Sequence, residues 1–170
     1  MSKYLIAGNW KMNTNLDDAK KITDILHTND SFDSEVEMLI CPPYTHLSFL
    51  SESIDFSRIS LGAQNSYFED KGAYTGEISN QMLISVGCEY VIQGHSERRT
   101  LFGETDELIN KKVISSLRSG LRVILCIGET LEERNNNETN NILELQLSKN
   151  LENVDFSIEN LKIAYEPICA

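Results

Sequence analysis

Six short apolar runs, each ending in a polar cluster and most followed by an amphipathic stretch, constrain the fold of this chain more than any other feature. The runs cover residues 4–7, 36–41, 59–63, 90–93, 122–127 and 161–165. Runs of this length that are apolar on both faces read as strands buried on both sides, which means a parallel sheet covered by helices. The amphipathic stretches between them cover 16–26, 46–51, 80–86, 106–119 and 140–151. In the first, Leu16, Ala19, Ile22 (or Thr23) and Leu26 fall on one helical face, and Asp17, Asp18, Lys20 and Lys21 lie largely on the other. Strand-to-strand spacing of roughly 20 to 40 residues fits βα units, whose right-handed crossovers bring every polar cluster to the same, C-terminal end of the sheet. No linker or composition break interrupts residues 1–170, which read as a single α/β domain. The polar run Asn135-Asn136-Asn137 reads as a solvated turn before a helix. An open doubly wound sheet and part of a closed (β/α)8 barrel, which typically needs ~250 residues, both accommodate six strands.

Charge narrows the partners. With 15 basic and 26 acidic residues the net charge is −11, so the average field repels nucleic acid and anionic membranes. A small anionic substrate would be repelled too, unless a local positive pocket held it. The cysteines Cys41, Cys88, Cys126 and Cys169 lie far apart without a C-x-x-C pair, so they suggest buried thiols and neither a zinc site nor a redox dithiol. Residues 1–8 hold too short an apolar run for a signal peptide, and no later segment approaches membrane-spanning length, so a cytoplasmic location is expected. The sequons Asn29-Asp30-Ser31 and Asn137-Glu138-Thr139 then read as chance matches.

The candidate chemistry lies at the strand ends. After the fourth run the chain continues Gly94-His95-Ser96-Glu97, with Ser-Glu able to open a helix. With Ser96 as N-cap or in the first turn, the helix dipole disfavours protonation of His95, and a neutral imidazole can donate a hydrogen bond. The alternative is a histidine that caps a loop and does no chemistry. Asn9 and Lys11 are two apart, so in an extended chain both point to one side and together suit a substrate with a carbonyl or hydroxyl and an anionic group. Taken alone, they read more simply as a turn asparagine and a surface lysine. Glu166 follows Ile163-Ala164-Tyr165 and precedes Pro167, which keeps its backbone extended at the end of a buried strand. Partial desolvation there favours a general base, and the competing reading is a rim glutamate paired with a lysine. Together these residues permit proton transfer at carbon next to a carbonyl, with Glu166 removing the proton and His95 and Lys11 stabilising the enolate oxygen. No metal site and no Gly-rich nucleotide loop accompanies them.

Five motifs, Gly8-Asn9-Trp10-Lys11-Met12-Asn13, Gly72-Ala73-Tyr74-Thr75-Gly76-Glu77, Gly94-His95-Ser96-Glu97-Arg98-Arg99, Cys126-Ile127-Gly128-Glu129 and Ala164-Tyr165-Glu166-Pro167, closely resemble the triosephosphate isomerase family. The resemblance covers the whole chain but about the first two-thirds of a typical barrel of that family, strands one to six. It implies a partial (β/α)8 barrel that interconverts dihydroxyacetone phosphate and glyceraldehyde 3-phosphate through an enediol(ate), in glycolysis and gluconeogenesis, without a cofactor. Carried over by motif, Glu166 is the base, His95 the electrophile, Lys11 the substrate-binding cation and Asn9 an orienting residue, with Ser96 and Glu97 in support. Thr75 belongs to the segment that in the family enters the neighbouring subunit's active site, so a homodimer is implied.

Two departures from the pattern stand out. Ile168-Cys169-Ala170 follows Pro167 where the family usually has Val-Trp-Ala at the start of its mobile lid, and cysteine offers less apolar contact than indole. The last two strands and the phosphate-binding loops are not in the sequence, so these 170 residues by themselves are expected to have little isomerase activity. Two other readings compete: a non-catalytic fragment acting through self-association or association with the missing C-terminal part, and another phosphate-binding barrel enzyme acting on a different sugar phosphate.

Overall fold

Each of the six apolar runs forms a strand in the computed structural model, which describes residues 4–28, 35–155, 157 and 159–167. The strands are β1 (Tyr4–Asn9), β2 (Val36–Cys41), β3 (Ile59–Ala63), β4 (Tyr90–Gln93), β5 (Arg122–Ile127) and β6 (Leu161–Tyr165). Between them lie α1 (Leu16–Thr28), α2 (Tyr44–Ser51), α3 (Asn80–Ser85), α4 (Ser96–Phe102), α5 (Asp106–Ser119), α6 (Leu131–Asn135) and α7 (Thr139–Asn150). Every neighbouring pair is parallel, and the spatial order β1-β2-β3-β4-β5-β6 follows the chain. That order decides between the two candidate folds. A doubly wound sheet reverses direction at a switch point, whereas consecutive strands that stay neighbours throughout wind one way and curl into part of a (β/α)8 barrel. Ile168, Cys169, Ala170 and the sequon at Asn29 lie outside the described residues.

Strand alternation divides the core into two layers. Leu39, Cys41, Tyr90, Ile92, Ile124 and Cys126 pack together on the inner face of the sheet. On the outer face Ile40, Leu61, Val91, Val123 and Leu125 meet the helices through residues such as Leu50, Ile109 and Val113. Burying each such side chain stabilises the fold by roughly 1.5–3 kcal/mol. In α1 the buried face is Ala19 and Thr23, whose hydroxyl donates to the carbonyls of Ala19 and Lys20, while Leu16 is half exposed.

Burial on both sides holds for β3 and β4 but not for the edges of the sheet. Among the described residues β1 and β6 each pair on one side only, and Ile6 and Ile163 are 60% and 45% exposed. β1 also runs two residues beyond its apolar stretch, because Gly8 and Asn9 still pair with Ile40 and Cys41. Two short helices go beyond the amphipathic pattern. α4 begins directly after His95, and α6 is started by a capping box in which the Thr130 hydroxyl accepts the Glu133 N–H and the Glu133 carboxylate accepts the Thr130 N–H. Of the asparagine run, Asn135 ends α6, and Asn136 and Asn137 make the turn towards α7.

Candidate active site

The C-terminal ends of β1, β4 and β6 bring Asn9, Lys11, His95, Glu97 and Glu166 into one linked cluster. β4 ends at Gln93, and Gly94 then adopts φ +72, a left-handed turn where an added Cβ would meet Ile109 and the Cys126 carbonyl at 3.1 and 3.2 Å. That turn delivers His95, only 6% exposed, to the N-cap of α4. Its Nδ1 accepts the Glu97 N–H at 3.2 Å, which leaves the ring proton on Nε2. Nε2 in turn lies 3.4 Å from Glu166 Oε2. The N-cap is therefore His95 itself, and Ser96 is the first helical residue.

Glu166 is positioned by β5 as much as by its own strand. Its N–H donates to the Ile127 carbonyl at 2.8 Å, and its backbone passes so close to Gly128 that a Cβ there would sit 1.9 Å from the Glu166 carbonyl oxygen. Gln146 of α7 holds Gly128 in place, accepting its N–H at 2.9 Å and donating to its carbonyl at 3.0 Å. The carboxylate's Oε2 is buried without an aligned hydrogen-bond donor among the described residues. Burial first, and then the adjacent Glu166 charge, push the Cys126 thiol far above its ordinary range, so this inner-face cysteine stays protonated beside the carboxylate.

Lys11 reaches the cluster from a turn. β1 ends at Asn9, and Lys11 has φ +54, so the expectation that both side chains project from one extended strand does not hold. The left-handed backbone is held because Asn9 Oδ1 accepts the Lys11 N–H at 3.0 Å and Gln64 Nε2 donates to the Lys11 carbonyl at 2.9 Å. Lys11 Nζ then pairs with Glu97 Oε1 at 2.9 Å, half exposed at the mouth of the cluster. Thr75 takes no part in this chain of contacts. It lies in residues 69–77, all of them exposed.

Two supporting groups were not singled out from the sequence. Arg99 donates to the Gly94 carbonyl at 2.7 Å, the Cys126 carbonyl at 3.1 Å and Asp106 at 2.6 Å, spanning the ends of β4 and β5. Glu129 is fully buried and accepts from Arg134, Thr139 and Tyr165. Burial pushes its carboxyl up, but its own backbone N–H, Tyr165 and Arg134 outweigh that and hold it below the usual carboxylate range. A polar residue one glycine past a strand and directly before a T-x-x-E cap is the sequence signal for such a group. Among the described residues no three His, Cys, Asp or Glu side chains are placed to hold a metal ion, and no helix is long and apolar enough to cross a membrane.

Fold and site together define a (β/α)-barrel protein with a carboxylate, an imidazole and an ammonium group gathered at the C-terminal face of its strands. The family model for triosephosphate isomerase matches residues 4–170, and the chain belongs to that family. Among curated relatives, the triosephosphate isomerases of Trichodesmium erythraeum and Trichormus variabilis are 48% and 47% identical, each over 100% of this chain and 70% of the relative. That of Aquifex aeolicus is 45% identical over 99% of this chain and 68% of its own length. This membership favours an isomerase over the reading in which the chain acts only by association.

Proposed function

We propose that this chain carries the proton-transfer chemistry of a triosephosphate isomerase, interconverting dihydroxyacetone phosphate and glyceraldehyde 3-phosphate. The single observation that carries the reading is the approach of Glu166 Oε2 to His95 Nε2 at 3.4 Å, beside the Lys11–Glu97 pair. Glu166, with a lone pair not committed to a donor, takes a proton from the carbon next to the substrate carbonyl. The electron pair left behind moves to the carbonyl oxygen, and the His95 Nε2–H and the Lys11 ammonium stabilise the enediolate that forms. A proton then passes from the neighbouring hydroxyl oxygen to the enediolate oxygen, and return of the first proton to the neighbouring carbon leaves the new carbonyl where that hydroxyl stood, completing the exchange between ketose and aldose. Asn9 orients substrate and holds the Lys11 backbone, while Glu97 fixes both the Lys11 ammonium and, through its N–H, the His95 ring. Ser96 supports the first turn of α4. The proposed place is the cytoplasm, in glycolysis and gluconeogenesis.

The proposed assembly is a homodimer in which residues 69–77, with Thr75, enter the neighbour's site. Support comes from the unbroken exposure of that segment and from exposed apolar side chains elsewhere on the surface, among them Met82 and Phe102 at 51% and 68%. The functional test is a substrate panel run on these 170 residues joined to the last two βα units of a relative. Turnover of triose phosphates far above pentose and hexose phosphates is expected. Preference for another sugar phosphate would overturn the reading.

A further inference from the structure

Behind β4, on the side away from the inner cluster, lies a buried set of polar side chains that the proposed chemistry does not use. Gln93, the last residue of β4, has no exposed surface, and neither has Ser116 of α5. Gln93 Nε2 donates to Ser66 Oγ at 2.7 Å and to Ser116 Oγ at 3.1 Å. The Ser116 hydroxyl donates to Asn80 Oδ1 at 3.2 Å, Asn80 Nδ2 donates to Ser115 Oγ at 3.0 Å, and Ser115 donates to the Phe68 carbonyl at 2.8 Å. One connected network therefore joins β4 and α5 to both ends of the loop between β3 and α3. Ser66 stands near the start of that loop and Asn80 just after its end. Between them the Tyr67 N–H donates to the Ile78 carbonyl at 2.8 Å, closing the neck of the exposed segment.

The network is incomplete in a telling way. Gln93 Oε1 is buried and has no hydrogen-bond partner among the described residues. Turning the amide over would pair that oxygen with the serines and strand the NH2 group instead, so one end is unmatched in either orientation. A buried amide left half satisfied works against global stability, and an apolar side chain of similar size would avoid the cost. What directional hydrogen bonds supply, and an apolar side chain does not, is one fixed arrangement of the pieces they join.

We propose that Gln93 is a positioning residue for residues 67–79, clasping both ends of this segment to the strand that leads into His95 and so presenting its exposed tip, with Thr75, in one orientation to a second copy of the chain. The part played by the second copy rests on the dimer proposed above; the clasp does not. The experiment is amide hydrogen exchange on the full chain, comparing the parent with Gln93→Leu and Ser66→Ala. In Gln93→Leu the protection of the Tyr67 and Glu77 amides should fall by roughly tenfold or more, while amides of β4 and β5 keep parental protection and the urea midpoint is unchanged or higher. Loss of protection spread evenly over the molecule, or an unchanged segment, would overturn the proposal. Should Gln93→Leu fail to fold, Ser66→Ala decides: a smaller loss confined to 67–79 supports the clasp, and no local loss rejects it. Sedimentation equilibrium separates the two readings. With a dimeric parent, the dissociation constant should rise about tenfold in Gln93→Leu; a parent that is monomeric at every concentration removes the second copy from the proposal and leaves the clasp to be judged by exchange alone.

Discussion

Gly128 shows how closely one residue can be tied to the position of another. No side chain fits between it and the backbone of Glu166, because a Cβ would stand 1.9 Å from that residue's carbonyl oxygen and 2.7 Å from its carbonyl carbon. Gly128→Ala must push the end of β6 away from β5. The expected cost is about 1–3 kcal/mol in urea unfolding, together with a change in the His95 ring resonances as Glu166 moves off Nε2. Parental stability with an unchanged His95 spectrum would show that the close approach is not required. At this scale Glu166 was legible because it directly follows an apolar run, His95 and Asn9 because one glycine separates each from such a run, and Lys11 because it lies two residues beyond Asn9. The route by which Lys11 arrives was not, since a left-handed residue stabilised by Asn9 and Gln64 leaves no trace in spacing. Gln93 was hidden for a related reason: it ends an apolar run, and only its neighbours across the fold reveal it as polar and buried.

Elements are held to one another at both ends of the barrel. At the C-terminal end Glu129 links α6, α7 and β6 through Arg134, Thr139 and Tyr165. Because its folded carboxyl is held below the usual range, its contribution is present above the unfolded titration, roughly pH 4.3, and is lost as pH falls through the lower folded value. Melting temperature should therefore drop more steeply below about pH 4.5 in the parent than in Glu129→Gln. Parallel curves would refute this. At the opposite end the Tyr90 hydroxyl donates to Glu37 at 2.7 Å and receives Arg122 at 2.8 Å, joining β2, β4 and β5. Burial, and then the hydrogen bond to Glu37, push the Tyr90 phenol up to about 12. Tyr90→Phe should cost about 1–2 kcal/mol, measured by urea unfolding, without altering the His95 cluster at the other end of the strands. The strands and long helices were legible from periodicity. α6 fell below the length at which periodicity speaks, although its T-x-x-E cap stood in the sequence.

At the scale of the molecule, the six strands form a sheet whose first and last members each lack a neighbour on one side among the described residues. Ile6 and Ile163, which a completed barrel would cover, are exposed at these edges. The parallel class of the sheet could be read from apolar runs, but its one-way winding could not, because spacing alone fits both winding schemes. A polypeptide of these 170 residues alone should turn over triose phosphates far more slowly than the same residues joined to a relative's last two βα units, since the phosphate ligands of such barrels come from loops after strands seven and eight. Comparable rates for the two would contradict that. The most direct test of the central claim is exchange of the C-1 protons of dihydroxyacetone phosphate for solvent deuterium by the joined protein, parent against Glu166→Gln. Exchange by the parent is expected, with a loss of roughly 10²–10⁴-fold in the variant and substrate binding retained. Exchange at the parental rate by Glu166→Gln would show that the base is another residue.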